Sequence, residues 1–182
     1  MADESPEIPP HRPKLVVVDV EADGPYVGDY SMVCFGAVVV EPGLTRTYYG
    51  KCSPISEKWV PAALKVSGFT RAQHEKFQIP QATMPEFRDW LHSLGNVVFI
   101  SDNPAFDWQW INFYLHRYAG MNPFGHSARR IGDVWSGLMR DMGKSSQWKK
   151  FRRTKHSHDP VDDARGNAEA LLTMQKLHGL LL

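Results

Sequence analysis

The segment Leu15–Val20, with the sequence LVVVDV, most constrains how this chain can fold. Five of its six residues are apolar and four of them are valine. A run rich in β-branched residues is typical of a strand, and apolar side chains at both odd and even positions must be covered on both faces. We therefore expect this segment to be an inner strand of a sheet with helices packed on each side.

The rest of the pattern predicts an α/β protein with a mixed sheet. Residues 31–40 and 44–51 are expected to form an antiparallel hairpin around Glu41-Pro42-Gly43, and residues 97–101 a short buried strand. Helices are predicted near residues 57–66, at 83–93 with Thr83 as N-cap, at 107–118 and at 160–178, and residues 131–142 begin as a strand or a helix. Strands and helices alternate after the hairpin, which favours a mixed sheet flanked by helices.

Length and composition indicate one domain. The chain has 182 residues, of which 42% are hydrophobic, and its longest apolar runs are four residues, whereas a bilayer-spanning helix needs about 20. We expect residues 1–13 to be a flexible N-terminal tail and residues 14–182 to be a single domain with no membrane association. The N-terminus lacks the pattern of a secretory signal and there are only two cysteines, so a reducing cytoplasm is the expected compartment.

Two carboxylates stand at the end of the inner strand. Asp19 and Glu21 are two residues apart, so their side chains point to the same face of the sheet. Two close carboxylates repel one another, and a divalent cation with hard oxygen ligands, Mg²⁺ or Mn²⁺, removes that penalty. Taken alone, the pair is more simply explained by a strand that emerges into solvent.

A third acid follows the strand at 97–101. Asp107 closes the segment Asn103-Pro104-Ala105-Phe106-Asp107 at a junction between a strand and a helix. Asp is a favoured helix N-cap, so capping is the simpler explanation for this residue. The aromatic residues Phe106, Trp108 and Trp110 are expected in the core.

The segment from His158 to Asp163 is only partly explained by capping. Asp159 fits the N-cap and Pro160 the first position of the last helix. Asp163 falls on an apolar face, where a carboxylate needs a partner, and His158 is free to reach the same place. The preceding His156-Ser157-His158-Asp159 also resembles the start of a zinc motif, although the Asp falls one place early and no further His follows closely.

Together these motifs resemble the DEDD 3′–5′ exonuclease superfamily, in its histidine-bearing branch, which includes the proofreading subunit of bacterial DNA polymerase III, RNase T and oligoribonuclease. The resemblance spans residues 14–178, and the segment Pro61–Thr70, PAALKVSGFT, is also similar to a stretch of these enzymes. It implies an RNase H-like fold with a five-stranded mixed sheet. Asp102 and the segment after Glu21 depart from the usual pattern of the family, and that segment commonly lies near the terminal nucleotide.

The resemblance also implies the roles of individual residues. Asp19, Glu21, Asp107 and Asp163 would be ligands of two divalent cations, Mg²⁺ or Mn²⁺, and His158 the general base. The expected activity is hydrolysis of phosphodiester bonds from the 3′ end of single-stranded DNA or RNA, with release of nucleoside 5′-monophosphates.

A basic strip precedes His158. Residues 144–158 hold six Lys or Arg and no acid, although the whole chain has a net charge of only +1. A solvated loop is the simpler interpretation, and contact with a phosphate backbone is the functional one. Candidate contacts are Asn103, Lys149, Lys150, Arg152 and Arg153, with Trp148 and Phe151 expected either to stack on bases or to pack against the sheet.

Other functions and partners stay open at this point. A non-catalytic nucleic-acid-binding or partner-docking domain with the same fold is the alternative, although all four acids and the histidine are present. The apolar end, Leu180-Leu181-Leu182, either seals a homodimer or completes the core. An exonuclease without a polymerase or helicase region would need another protein for any role in replication, repair or RNA processing.

Overall fold

The computed structural model describes residues 12–180 and places the apolar segment inside a five-stranded sheet. Its strand β1 (Lys14–Ala22) pairs antiparallel with β2 (Met32–Val39), which pairs antiparallel with β3 (Thr47–Lys51). On the other side of β1, β4 (Val97–Ser101) and β5 (Ala128–Arg130) are added in parallel. The strand order is β3-β2-β1-β4-β5, and the prediction of a mixed sheet with an antiparallel hairpin is confirmed.

Helices cover both faces of this sheet. They are α1 (Pro61–Val66), α2 (Arg71–His74), α3 (Pro80–Leu94), α4 (Pro104–Ala119), α5 (Ile131–Met139) and α6 (Pro160–His178), with short 3₁₀ helices at Met142–Lys144 and Gln147–Phe151. Val16 and Val18 of β1 join the core beneath α3 and α4, whereas Leu15 and Val17 join the core beneath α5 and α6. Between residues 12 and 180, no helix combines the length and the apolar character that a bilayer span requires.

Proline positions explain where the predicted helix starts were wrong. Helix α1 begins at Pro61 rather than at residue 57, and α3 begins at Pro80, because proline at the first helical position has the φ angle that a helix needs. Thr83 therefore lies inside α3 and does not cap it. Its hydroxyl donates to the carbonyl oxygen of Lys51 at 3.0 Å, which attaches α3 to the edge strand β3.

Two predictions lie largely outside the described residues. The flexible tail was predicted for residues 1–13, of which only residues 12 and 13 are described, and the C-terminal pair Leu181 and Leu182 is also not described. Strand β3 begins at Thr47 rather than at residue 44, because residues 42–44 form the turn of the hairpin.

The first turn of α6 lies directly on β2 at Gly36. A Cβ atom at Gly36 would come within 2.3 Å of the backbone carbon of Pro160 and 2.4 Å of the backbone nitrogen of Val161. Gly36 pairs with Asp19 across the sheet, so this contact brings the start of α6 beside the acidic end of β1.

We expect Gly36→Ala to destabilise the protein by about 1–3 kcal/mol, because α6 must move away from β2 to admit the methyl group. Gly137→Ala is the matched control, since a Cβ there would meet no described atom within 4 Å. In the helix α5 that change should stabilise by up to about 1 kcal/mol. Urea denaturation measures both changes, and equal effects of the two substitutions would contradict the close contact.

Candidate active site

The end of β1 carries Asp19 and Glu21 on the face that α6 covers. They continue the row formed by Leu15 and Val17, as expected from the alternation of side chains along a strand. Asp19 is half-buried, and the side chain of Glu21 is 12% exposed. The two acids therefore face the protein interior, and the interpretation of a strand that emerges into solvent is wrong.

Asp107 reaches β1 from the first turn of α4. Pairing between β1 and β4 ends at Val17, so the backbone N–H of Val20 donates to Asp107 Oδ1 at 3.1 Å instead of to a strand. Helix α4 begins at Pro104, with Asn103 as its exposed N-cap residue. The explanation of Asp107 as an N-cap is therefore wrong, and its side chain, 4% exposed, belongs to the acidic site.

Asp163 joins the site from α6 and is 1% exposed. Asp159 caps this helix as predicted, accepting from the backbone N–H groups of Val161 and Asp162. Asp163 Oδ1 accepts from Arg152 Nη2 at 2.8 Å and from the Ser157 backbone N–H at 3.2 Å.

The second oxygen of Asp163 is also occupied. Its Oδ2 accepts from the His158 backbone N–H at 2.9 Å and lies 2.8 Å from His156 Nδ1. Asp163 therefore accepts three hydrogen bonds and has the His156 ring within ion-pair distance of its second oxygen.

Two exposed histidines stand at the mouth of the site. His158 Nδ1 lies 3.5 Å from Glu21 Oε1, and the ring centroids of His156 and His158 are 4.3 Å apart. Donor atoms of His156, His158 and Asp163 all lie within 4.8 Å of one another, close enough to surround a metal ion. Sequence reasoning did not assign a role to His156, and its only signal was the short His-x-His pattern.

Burial, and after it repulsion between carboxylates, raises the pKa values of the acidic group. Burial, followed by the charges of Asp107, Asp163 and Glu21, raises the pKa of Asp19 well above its usual value. Burial and then Asp163 raise the pKa of Glu21 to about 7. Burial also raises the pKa of Asp107 to about 7, against the opposing effect of its hydrogen bonds. Ionised acids in this arrangement need positive charge beside them.

Several residues of the basic strip make contacts within the protein. Lys149 Nζ lies 2.7 Å from Asp102 Oδ2, and Arg152 is held by Asp163. Lys150 Nζ lies over the Phe151 ring, 5.1 Å from its centroid. Arg153 is 80% exposed.

Most of the aromatic residues near the site are packed in the core. Trp148 and Trp110 are fully buried, so packing against the sheet is the correct alternative for Trp148. Trp108 and Phe151 are half-buried and pack against the cores on the two faces.

Phe106 packs against the same core as Trp108 and also lines an apolar cavity of about 430 Å³ beside Glu21. The other lining residues come from the end of β1, the segment after it, α1 and the residue before α1. The full set is Glu21, Ala22, Gly24, Pro25, Val60, Ala63, Val66 and Phe106. Sequence reasoning singled out both segments by resemblance but did not predict that they form a cavity together.

Comparison with known proteins identifies a similar exonuclease. The 3′–5′ DNA exonuclease Cap18 of Escherichia coli is 38% identical over 174 residues, which cover 90% of this chain and 92% of that protein. No protein-family model matches the sequence.

Solved structures with the same fold include E. coli exonuclease I in a zinc-bound complex with single-stranded DNA. Its TM-score is 0.70 at 15% identity, over 91% of this chain but only 41% of that chain, so this chain spans about two fifths of exonuclease I. A full-length 3′-exonuclease gives a TM-score of 0.67 at 15% identity, over 90% of this chain and 81% of that chain. At these identities the structural matches show the fold.

A mixed sheet of this order, flanked by helices, is the RNase H-like fold, as the resemblance implied. The similarity to the exonuclease Cap18, which extends over most of both chains, establishes the family. This chain belongs to the DEDD 3′–5′ exonuclease family, and it is a hydrolase.

The raised pKa of Glu21 predicts how cation binding depends on pH. In the cation-free folded protein Glu21 keeps its proton up to about pH 7, whereas the unfolded chain loses it near pH 4.5. This contribution to stability is present below pH 4.5 and is lost as the pH rises to about 7. A cation must displace that proton, so stabilisation by Mg²⁺ or Mn²⁺ should increase over the same range.

We expect the gain in Tm caused by either cation to be larger at about pH 7.5 than at about pH 5.5. Glu21→Gln, which has no proton to release, should show a smaller dependence on pH. Thermal denaturation with and without the cation measures this, and an equal gain in Tm at both pH values in the wild type would contradict the interpretation.

Proposed function

We propose that this chain is a divalent-cation-dependent 3′–5′ exonuclease that acts on single-stranded DNA. The observation that carries the proposal is the convergence of Asp19, Glu21, Asp107 and Asp163 from three elements, with His158 beside them. DNA is favoured because the relative Cap18 is a DNA exonuclease and exonuclease I was solved with DNA oligonucleotides, dT13 among them. RNA remains the second substrate to test.

The acidic residues fit a pair of divalent cations. Buried carboxylates that raise one another's pKa are oxygen ligands in need of compensating charge, which suits Mg²⁺ or Mn²⁺. Asp19, Glu21, Asp107 and Asp163 would hold the two ions. Asp163 would then exchange one of its contacts for the metal, and His156, with a side chain that is 57% exposed, is the neighbour best able to turn away. When bound, such ions stabilise the attacking and leaving oxygens of an in-line displacement.

His158 is the proposed general base. Its Nδ1 faces Glu21 at 3.5 Å, so Nδ1 would keep its proton towards that carboxylate and Nε2 would accept the proton of the attacking water. An imidazole suits this step because its ordinary pKa is ~6.5. The products would be nucleoside 5′-monophosphates.

The apolar cavity beside Glu21 suits the terminal base of the strand. Phe106, Val60 just before α1, and Ala63 and Val66 within α1 give it an apolar lining next to the acids. Contact of a flat base with such residues requires no particular sequence. Of the basic residues, Lys150 and Arg153 are the more available to contact the phosphate backbone. Lys149 and Asn103, exposed near the start of α4, are further candidate contacts.

The remaining predictions concern the setting of the enzyme. We propose that residues 14–182 work as one exonuclease domain, and that a homodimer or a partner in replication, repair or RNA processing supplies any further specificity. The proposed compartment is the cytoplasm, supported by Cys34 and Cys52, which are both buried free thiols.

Incubation with 5′-labelled single strands of DNA and RNA tests the activity. With Mg²⁺ or Mn²⁺, DNA should shorten from its 3′ end, and chelator or Asp19→Asn should abolish the reaction. His158→Ala should lower kcat by at least about 100-fold while cation binding, measured by calorimetry, stays intact. Glu86→Ala, an exposed acid on α3, is the control and should retain wild-type activity.

Turnover of His158→Ala at the wild-type rate would contradict the base assignment. Binding of a single strand without any cleavage, in the presence of bound cation, would favour a non-catalytic nucleic-acid-binding or partner-docking domain.

Neutralising the basic strip should weaken the dependence of DNA binding on salt. The triple variant with Lys149→Ala, Lys150→Ala and Arg153→Ala leaves the Arg152 ion pair in place. Its slope of log K against log[salt] should be lower in magnitude by about 2, since roughly 0.7 counterions are released per contact with a single strand. An unchanged slope, measured by fluorescence anisotropy, would exclude this strip.

A further inference from the structure

Glu169 is a buried acid outside the catalytic group, and its carboxylate binds the segment that leads to His158. Its side chain projects from α6, and the residue is 8% exposed. Oε2 accepts from the backbone N–H groups of Arg153 and Thr154, both at 2.8 Å, and Oε1 accepts from Thr154 Oγ1 at 3.1 Å. Hydrogen bonds from backbone N–H groups to a buried carboxylate are among the stronger ones in proteins.

The other end of the same segment is bound to α6 by Asp163. Its carboxylate accepts from the backbone N–H groups of Ser157 and His158. Asp163 and Glu169 are six residues apart on one helix, so residues 153–158 are attached to α6 at both ends.

Between the two acids the segment lies directly against the helix backbone. A Cβ atom at Gly166 would come within 2.8 Å of the Thr154 carbonyl oxygen and 2.6 Å of Arg152 Nε. Glycine at this position therefore allows the segment and the Arg152 side chain to lie on α6.

The conformation of His158 needs such support. It is a non-glycine residue with a positive φ of 63°, and its side chain is 48% exposed. A left-handed conformation costs a residue with a Cβ about 1–3 kcal/mol and persists only when the surroundings impose it. Asp163 belongs to the proposed cation site, whereas the hydrogen bonds of the Glu169 carboxylate within residues 12–180 come from Arg153 and Thr154 of the segment.

We propose that Glu169 is a positioning residue, whose carboxylate fixes the start of residues 153–158 so that His158 is held beside Glu21. This inference rests on the proposed function, because it assigns to Glu169 the placement of the proposed general base. Glu169 touches neither the substrate nor the acidic group.

Glu169→Ala should lower kcat on single-stranded DNA by about 10- to 100-fold, as expected when a catalytic group is misplaced by about 1 Å. KM for DNA and the affinity for Mn²⁺, measured by calorimetry without substrate, should stay within about twofold of wild type. Glu169→Gln retains the shape of the side chain and one carbonyl acceptor, so it should fold even if Glu169→Ala does not. Its loss of kcat should be intermediate between those of the wild type and Glu169→Ala. Thr154→Val, which removes only the hydroxyl, should lose least.

The decisive measurement combines Glu169→Gln with His158→Ala. If Glu169 acts through His158, the second substitution should change the residual kcat of His158→Ala by less than about twofold, because the group being positioned is already absent. Glu86→Ala on α3 serves as the matched control for loss of a Glu side chain.

Two outcomes would overturn the proposal in distinguishable ways. The role of Glu169 alone is wrong if His158→Ala is inactive while Glu169→Gln and Glu169→Ala retain wild-type kcat. It is also wrong if Glu169→Gln lowers kcat by the same factor in the wild type and in His158→Ala. If His158→Ala retains wild-type turnover, the general base is wrong and the role of Glu169 falls with it.

Discussion

Repulsion among buried carboxylates is the constraint on which the rest of this structure depends. Asp19, Glu21 and Asp107 meet where β1 continues beyond its neighbour β4, and burial, followed by the charge of neighbouring carboxylates, raises the pKa of each. Such a group opposes folding when it is ionised, so a sequence that retains it needs compensating charge. The apolar sheet and its two helical layers hold the acids together against this repulsion, and the close contact of α6 with β2 at Gly36 brings Asp163 to them.

Asp163 is the acid for which the protein itself supplies the compensation. Arg152 and two backbone N–H groups donate to its oxygens and His156 lies beside them, whereas Glu21 has the exposed ring of His158 at 3.5 Å. The site therefore has a fixed part, made by β1 and α4, and a part carried by α6 and the segment before it. Because that segment also holds His158, binding of a cation and placement of the proposed base involve the same short stretch of chain.

Much of this arrangement could be predicted from the sequence. The valine-rich strand predicted the position of β1, and alternation along it predicted that Asp19 and Glu21 share a face. The order of the motifs predicted that Asp107 and Asp163 join them. The start of α3 and the placement of Thr83 were wrong, because a buried threonine bonded to Lys51 and a threonine at an N-cap look alike in a sequence.

Contacts between distant segments could not be predicted in the same way. The hydrogen bond from Val20 to Asp107 depends on where β4 stops pairing with β1. The hydrogen bond that Glu169 accepts from Thr154 depends on a segment that lies along α6. His156 and the apolar cavity were missed because their role depends on neighbours from other elements. Periodicity and spacing report local structure, and these features arise from tertiary packing.

A crystal structure of the protein soaked with Mn²⁺, with the ions located by their anomalous scattering, tests the central claim most directly. The account predicts two peaks between Asp19, Glu21, Asp107 and Asp163 at metal–oxygen distances of about 2 Å, with His156 turned away from Asp163. A single peak held by His156, His158 and Asp163, with the end of β1 left without an ion, would contradict it.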